Sequence, residues 1–419
     1  LLAVPNTRQR EPSKPAIRWP TSPQPTISRR GRRSLRGRTG RRIKVLSPRV
    51  WQNREFNKFI GYARMGHLVT LLPSGQQFSA EPGEPILEAA LRAHVVLPYG
   101  CRNGACGSCK ARVVVGTLQQ DAHSTGAMTQ AEKQDGFALL CCAVAQTDLT
   151  VEARVLAGVG DIPVRKMPCR IASIERPTND VAIVRLQLPA TERLQFLAGQ
   201  YVDIILKDGA RRSYSIAVPP HAVEDGLELH IRHFAGGRFT DALFGVTAPE
   251  IKVRDILRFE GPLGTFFLRE DSQRPLILVA SGTGFAPIQA MVEHARSKRI
   301  DRPMTLYWGG RRPADLYRDE IAQQWAREIP DFRYVPVVSE AQPDDQWTGR
   351  TGFVHLAVLQ DFPRLEDFQV YACGAPVMVE AARRDFSALA GLPVDEFFAD
   401  SFTTAADEAA AHGGPAGTA

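Results

Sequence analysis

Four cysteines constrain this chain more than any other feature. Three lie in one short stretch, Cys101-Arg-Asn-Gly-Ala-Cys106-Gly-Ser-Cys109, and Cys141 follows about thirty residues later. C-x4-C-x2-C with a distant fourth cysteine is the plant-type ligand spacing for a [2Fe–2S] cluster. Two irons bridged by two sulfides need four terminal thiolates. One loop supplies three of them, and a distant strand is expected to supply the fourth. Gly104 and Gly107 let the backbone turn tightly, so that amide N–H groups point at the sulfurs. A zinc ribbon pairs two short C-x2–4-C knuckles, and this loop holds only one C-x2-C. Cys142 adjoins Cys141. In a strand, successive side chains face opposite ways, so only one of the two can face the cluster.

A length of 419 residues suggests two to four domains. No run of about twenty apolar residues is present, so no membrane span is expected. Seven cysteines, four of them in a cluster pattern, point to a reducing compartment and hence to the cytoplasm.

The charge is unevenly placed. Residues 1–64 hold 17 Lys and Arg against Glu11 and Glu55, a charge of +15, which leaves −8 on the remainder of a chain that totals +7. This tail is rich in Arg, Pro and Ser and has no periodic apolar face, so it reads as disordered. A basic arm for nucleic acid, a transit peptide and a segment outside the mature protein are the competing readings. The third is preferred, because Met65 is the first methionine and immediately precedes the first strand-like pattern.

From Met65, His67–Leu72 alternates, Pro73-Ser74-Gly75 turns and Gln77–Ala80 returns, which predicts a hairpin. Pro85–Leu91 predicts a short helix with Pro85 in its first turn. Lys110–Val115, Ala138–Cys142 and Leu149–Ala153 read as strands, so residues 65–156 form one unit, and 157–166 is the expected linker. Residues 167–270 carry many short strands: Arg170–Glu175, Val181–Leu188, Tyr201–Leu206, Arg212–Ala217 and Leu227–His233. This spacing predicts an antiparallel β-barrel.

In residues 271–402 the pattern changes again. Pro275–Ala280 is a continuous apolar run, hence a strand buried on both faces. It leads into Ser281-Gly-Thr-Gly-Phe-Ala-Pro287 and a helix to about Ala295. A glycine-rich turn between strand and helix suits phosphate, because the backbone can approach closely and the helix N-terminus offers donors. Strands at Met304–Trp308, Arg333–Val338 and Gln369–Ala372 alternate with helices at Asp319–Glu328 and Ala375–Leu389, which predicts a doubly wound α/β domain. Cys373-Gly374 falls at a strand's C-terminal end, where such sheets bind ligands. Residues 403–419 are Ala- and Gly-rich and read as a disordered tail.

These motifs carry a resemblance covering about residues 65–405. Leu97–Cys106, Ala198-Gly-Gln-Tyr201, Arg211-Arg-Ser-Tyr-Ser215, Gly282-Thr-Gly-Phe-Ala-Pro287, Tyr371-Ala-Cys-Gly-Ala-Pro376 and Phe398-Ala-Asp-Ser-Phe402 occur in this order. The chain resembles the ferredoxin–NADP reductase superfamily. More narrowly, it resembles iron–sulfur flavoprotein reductases of the CDP-6-deoxy-Δ-3,4-glucoseen reductase type. The resemblance implies a β-grasp [2Fe–2S] domain, an FAD-binding β-barrel and an NAD(P)-binding α/β domain. It favours Cys141 as the fourth ligand beside Cys101, Cys106 and Cys109.

The resemblance also implies roles. Arg212 would bind the FAD pyrophosphate, Tyr214 would pack on the flavin, and Ser215 would bond near flavin N5. Gly237, Arg238 and Thr240 would lie beside the pyrophosphate. Gly282, Thr283 and Gly284 would line the nucleotide's phosphate site, with Gly374 close by. Cys373 would sit near the nicotinamide, with a buried packing thiol as the plainer reading, and Phe402 would cover the flavin. Electrons would pass from NADH or NADPH to FAD, to the cluster and to an outside protein, either a dehydratase or an oxygenase component. Arg311 and Arg312 could meet a 2′-phosphate or stay solvated. His230 and His233 read as barrel or packing histidines. The rivals are the reductase of a Rieske-type oxygenase and, resting on the tail alone, a nucleic-acid-binding redox sensor.

Overall fold

The computed structural model describes residues 66–404 except 125 and 157. The expectations for residues 1–64 and 405–419 lie outside the described residues.

The N-terminal unit opens with the expected hairpin, β1 (His67–Leu72) and β2 (Gln77–Ala80). Val69 and Leu71 are fully buried while Leu68 is exposed, so the period-2 pattern decides the inward face. Helix α1 (Ile86–Arg92) follows, with Pro85 capping it from just outside instead of standing in its first turn. It buries Ile86, Leu87, Ala89 and Ala90. Leu87→Ala would cost about 2–5 kcal/mol by leaving a cavity. Next come β3 (Lys110–Val115), β4 (Leu118–Gln120), α2 (Gln130–Gln134), β5 (Phe137–Leu139), β6 (Ala143–Ala145) and β7 (Leu149–Glu152). Thr129 starts α2 with a capping box: its Oγ1 accepts from Glu132 N at 3.2 Å, and its N–H donates to Glu132 Oε2 at 2.8 Å. The main sheet runs β2-β1-β7-β3-β5, with β1 and β7 parallel, and β4 pairs with β6.

The second unit is antiparallel: β8 (Arg165–Glu175), β9 (Val181–Gln187), β10 (Tyr201–Ile205), β11 (Arg211–Ser215), β12 (Leu227–Arg232), helix α3 (Arg238–Leu243) and β13 (Ile256–Leu263). β8 begins inside the stretch read as a linker. The order is β11-β10-β13-β8-β9-β12. A bridge between Ile216 and Leu229 joins the chain beyond β11 to β12, the opposite edge. Inward-facing Val202, Ile204, Leu229, Ile231 and Phe259 fill the interior with Phe239 of α3.

The third unit alternates strand and helix: β14 (Leu276–Ser281), α4 (Phe285–Lys298), β15 (Met304–Gly310), α5 (Asp319–Glu328), β16 (Phe332–Val338), β17 (Arg350–Thr351), α6 (Val354–Asp361), β18 (Gln369–Gly374), α7 (Pro376–Ala390) and β19 (Phe397–Ser401). All six strands are parallel, in the order β17-β16-β15-β14-β18-β19. Leu276, Leu278 and Ala280 of β14 face one core with Phe285, Met291, Trp308 and Trp325. Ile277 and Val279 face the other core with Val358, Val379 and Phe386. Burial on both faces is why β14 reads as an unbroken apolar run. The Phe285 ring stacks on Trp308 at 4.0 Å, which fixes the start of α4 against β15.

The three units meet at the cysteine loop. Tyr99 N donates to Thr265 Oγ1 at 2.8 Å, Gly264 N donates to Tyr99 Oη at 3.0 Å, and Tyr201 Oη donates to the Gly100 carbonyl at 2.8 Å. Ser108 Oγ reaches the Ala399 carbonyl of β19 at 3.4 Å. Among the described residues no helix is long and apolar enough to cross a membrane.

Candidate functional site

The loop between α1 and β3 gathers the cysteine thiols in pairs. The Cys101 amide lies 3.4 Å from Cys106 Sγ, and the Cys106 amide lies 3.3 Å from Cys101 Sγ. Cys109 and Cys141 bring their sulfurs to 3.2 Å. All seven cysteines are free thiols. Among the described residues no three His, Cys, Asp or Glu side chains converge as a single metal ion would need. Two pairs suit two irons, each taking two thiolates, so the donor set fits a [2Fe–2S] cluster. Gly104 and Gly107 have φ of +79° and +73°, and a Cβ at Gly104 would stand 2.7 Å from Cys142 Sγ. The Cys101 hydrogen bond and the Ser108 donors bring the Cys106 thiol down to about 5, and the Cys101 thiol is pushed up correspondingly.

The strand argument for Cys141 against Cys142 fails. β5 ends at Leu139 and β6 begins at Ala143, so both cysteines sit in a turn and not in a strand. Their sulfurs are 3.5 Å apart instead of on opposite faces. Contact with Cys109 is what distinguishes Cys141.

The cysteine loop also walls a cavity in the second unit. Gly100 and Cys101 line it together with Arg212, Tyr214, Ser215 and Thr240. Gly237 and Phe402 line it too. The Arg212 guanidinium bonds the Arg211 carbonyl at 2.6 Å and makes no ion pair among the described residues. Arg211, by contrast, is committed to Glu260 at 2.8 Å. A cation left facing a cavity is suited to a pyrophosphate. Tyr214 packs on Phe239 at 5.6 Å between centroids, and burial raises its phenol. Arg238 lines neither cavity and pairs with Asp208.

A second, larger groove of about 940 Å³ opens at the C-terminal ends of β14 and β18, where the strand order reverses. Gly282, Thr283, Gly374 and Arg311 line it. Arg312 does not, because Asp345 holds it through two bonds of 2.8 and 2.7 Å. Gly284 serves packing: a Cβ there would come within 2.2 Å of the Cys373 carbonyl. Cys373 is fully buried, lines neither cavity, and has its thiol raised by burial and then by Asp400. Thr283 and Phe402 line both cavities, so they form the wall between them.

Three residues without an expected role stand at this junction. Asp400 lies opposite Cys373 across β18–β19, and its carboxylate is 3.5 Å from Ser215 Oγ. Burial pushes Asp400 up to about 7, helped by Cys106 and opposed by the Ser215 bond. Tyr201 ties the second unit to the residue before Cys101. Arg232 lines both cavities and pairs with Asp315 at 2.9 Å. An acid inside an apolar run, Phe398-Ala-Asp400, was the available signal for Asp400. Tyr201 falls in the Ala198-Gly-Gln-Tyr201 motif, but its bond to Gly100, like the Arg232–Asp315 pair, is a tertiary contact that no local pattern announces. His230 is the expected packing histidine, but buried between Glu228 at 2.9 Å and Tyr317 Oη at 2.7 Å. His233 bonds Asp241 at 2.8 Å.

Three family models match in order: a 2Fe-2S iron-sulfur cluster binding domain over residues 69–146, an oxidoreductase FAD-binding domain over 168–268, and an oxidoreductase NAD-binding domain over 278–384. The chain is 42% identical to the CDP-6-deoxy-L-threo-D-glycero-4-hexulose-3-dehydrase reductase of Yersinia pseudotuberculosis, over 80% of this chain and 98% of the relative. It is 36% identical to a terephthalate 1,2-dioxygenase reductase component of a Comamonas species, over 81% of this chain and 98% of the relative. Among solved structures, the cytochrome P450 reductase of Amycolatopsis superposes with a TM-score of 0.63 at 32% identity, covering 81% of this chain and 99% of that one.

Proposed function

The chain belongs to the reductase family that joins a 2Fe-2S domain to oxidoreductase FAD-binding and NAD-binding domains, and from that premise we propose that its acceptor is the dehydrase component of a deoxy-sugar nucleotide pathway. It is an NAD(P)H-dependent oxidoreductase. With its groups bound, FAD takes a hydride from NADH or NADPH and returns the electrons singly, through the [2Fe–2S] cluster, to an external acceptor. The shared cavity, lined by Cys101 and Gly100 together with Tyr214 and Ser215, supports the electron path, and the 42% identity to a hexulose dehydrase reductase supports the acceptor.

The residues divide the work. Cys101, Cys106, Cys109 and Cys141 hold the cluster in two pairs. Arg212 neutralises the FAD pyrophosphate, with the Gly237 and Thr240 backbone beside it, while Arg238 holds the adjoining loop through Asp208. Tyr214 packs on the flavin. Ser215, whose hydroxyl donates to Asp400 at 3.5 Å, would stand near flavin N5. Gly282 and Thr283 take the nucleotide's phosphates, and Gly284 and Gly374 allow the two loops to approach. Phe402 separates the flavin from the nucleotide groove, and Cys373 backs the nicotinamide end. We read the three units as a β-grasp domain, an antiparallel barrel and a doubly wound α/β domain.

A second reading has a specific support, because the terephthalate dioxygenase reductase component is also similar along almost its whole length. Reconstitution separates the two. The purified reductase, NADH or NADPH, and either a sugar-nucleotide dehydrase or a Rieske oxygenase are combined and electron delivery is timed. Turnover with the dehydrase supports the proposal, and turnover with the oxygenase alone rejects it.

A further inference from the structure

Helix α7 belongs to the nucleotide-binding unit, yet one of its faces meets the iron–sulfur unit. A Cβ at Gly126 would stand 2.2 Å from Glu380 Oε1, so the backbone after β4 lies directly against this carboxylate. Glu380 also lines the nucleotide groove. Arg383 follows three residues later, on the same helical face. Its guanidinium lies 4.9 Å over the Phe397 ring at the start of β19. Two residues further on, the Ala399 carbonyl receives Ser108 of the cysteine loop. Arg383 is half-buried and makes no ion pair among the described residues. Burial holds the Arg383 guanidinium below its ordinary range, and Cys106, Glu132 and Glu380 oppose that.

Other charged groups stand near Arg383, and Arg269, 4.8 Å over the Phe398 ring, is a second cation without an ion pair among the described residues. Lys110 and Glu132 cancel in an ion pair. Asp400 is a further carboxylate, 3.5 Å from Ser215 Oγ, and is the same in every variant compared. Glu380 is a partial counter-charge, bearing on both Arg383 and Lys110.

We propose that Arg383 raises the reduction potential of the cluster held in the neighbouring unit, and that Glu380 moderates it. This rests on the assignment of the four cysteines as cluster ligands. Reduction adds one electron and no proton, so the cluster gains one negative charge, and the electron comes from NAD(P)H by way of FAD. A fixed cation in a site of low dielectric stabilises the reduced form more than the oxidised one. The sign follows: removing the cation makes the cluster harder to reduce, and removing the carboxylate makes it easier.

The test is a potentiometric titration of the holoenzyme at pH 8, with the reduced cluster read by electron paramagnetic resonance. Arg383→Gln should lower the ratio of reduced to oxidised cluster at fixed potential about tenfold, a shift of about 59 mV for a one-electron couple. Arg383→Lys should stay near the wild type, and Glu380→Gln should shift the opposite way to Arg383→Gln. Should Arg383→Gln fail to fold, the upward shift of Glu380→Gln carries the test, and its absence rejects the proposal. An unchanged potential in Arg383→Gln overturns it. So does a downward shift in Glu380→Gln, or an Arg383→Lys protein as low as Arg383→Gln. Iron content and cluster absorbance report the ligand assignment separately: a wild type without cluster rejects that assignment, whereas full clusters with unmoved potentials reject only the role of Arg383.

Discussion

The Tyr201 hydroxyl donates to the Gly100 carbonyl at 2.8 Å, so a strand of the FAD-binding unit holds the residue immediately before Cys101. Tyr201 is only 5% exposed, and the bond crosses between units. Tyr201→Phe should cost about 1–2 kcal/mol, because a buried carbonyl loses its partner. Thermal unfolding measures that cost. Cytochrome c reduction should fall while flavin reduction by NAD(P)H keeps its rate. A variant whose flavin reduction fell as much would place Tyr201 in the flavin site alone.

Arg212→Ala should lose flavin before it loses structure. The guanidinium faces a cavity and not a core, so circular dichroism should be near native. Loss of a charge-assisted contact should cost roughly 2 kcal/mol of FAD affinity. Equilibrium dialysis of the apoprotein with FAD is the measurement, and an unchanged affinity would remove Arg212 from the pyrophosphate site.

Cys142→Ser should keep the cluster, whereas Cys141→Ser should lose it. The expectation rests on the 3.2 Å approach of Cys141 to Cys109. Visible absorbance and iron content decide it. A cluster retained in Cys141→Ser and lost in Cys142→Ser would exchange the two residues.

Much of the fold was legible where local pattern and tertiary environment agree. The β1–β2 hairpin, β3 and α5 fall where alternation and flanking residues predict them. The continuous apolar run of β14 reflects burial on both faces. Helix α6 and strand β13 were missed. α6 lacks a side-chain cap, and the Gly261-Pro262 pair obscured the end of β13. At the site, the cysteine spacing picked out the loop in which the structure pairs Cys101 with Cys106. Asp400 falls in the Phe398-Ala-Asp-Ser-Phe402 motif, but its role was not legible, because that comes from its register opposite Cys373 and its approach to Ser215, 185 residues away. The Cys141–Cys142 pair misled for a physical reason: alternation holds only within a strand, and these residues occupy a turn.

Acid should loosen the contact between the second and third units. Burial holds the His230 imidazole below its ordinary range, with Glu228 opposing. Burial pushes the Glu228 carboxyl up, but the His230 bond and Arg185 outweigh it and hold it at about 2. Both groups have a folded pKa below the unfolded one. Their stabilisation is therefore complete above the unfolded values, about pH 6.5 for His230 and about pH 4.5 for Glu228, and is lost as pH falls from there through the lower folded values. The thermal midpoint should drop steadily from pH 7 to pH 4. His230→Gln should start lower at pH 7 and fall less steeply. Parallel curves for the two proteins would show that His230 does not titrate in this range.

The order of electron flow is the central claim, and Cys109→Ser tests it most directly. Serine replaces a thiolate poorly on iron, so the cluster should be lost, while the separate cores of the other two units keep FAD bound. Stopped-flow mixing with NAD(P)H should bleach the flavin at the wild-type rate, and ferricyanide, which accepts electrons from reduced flavin, should still be reduced. Cytochrome c reduction should fall by an order of magnitude or more. Wild-type cytochrome c reduction by a cluster-free Cys109→Ser protein would contradict the account.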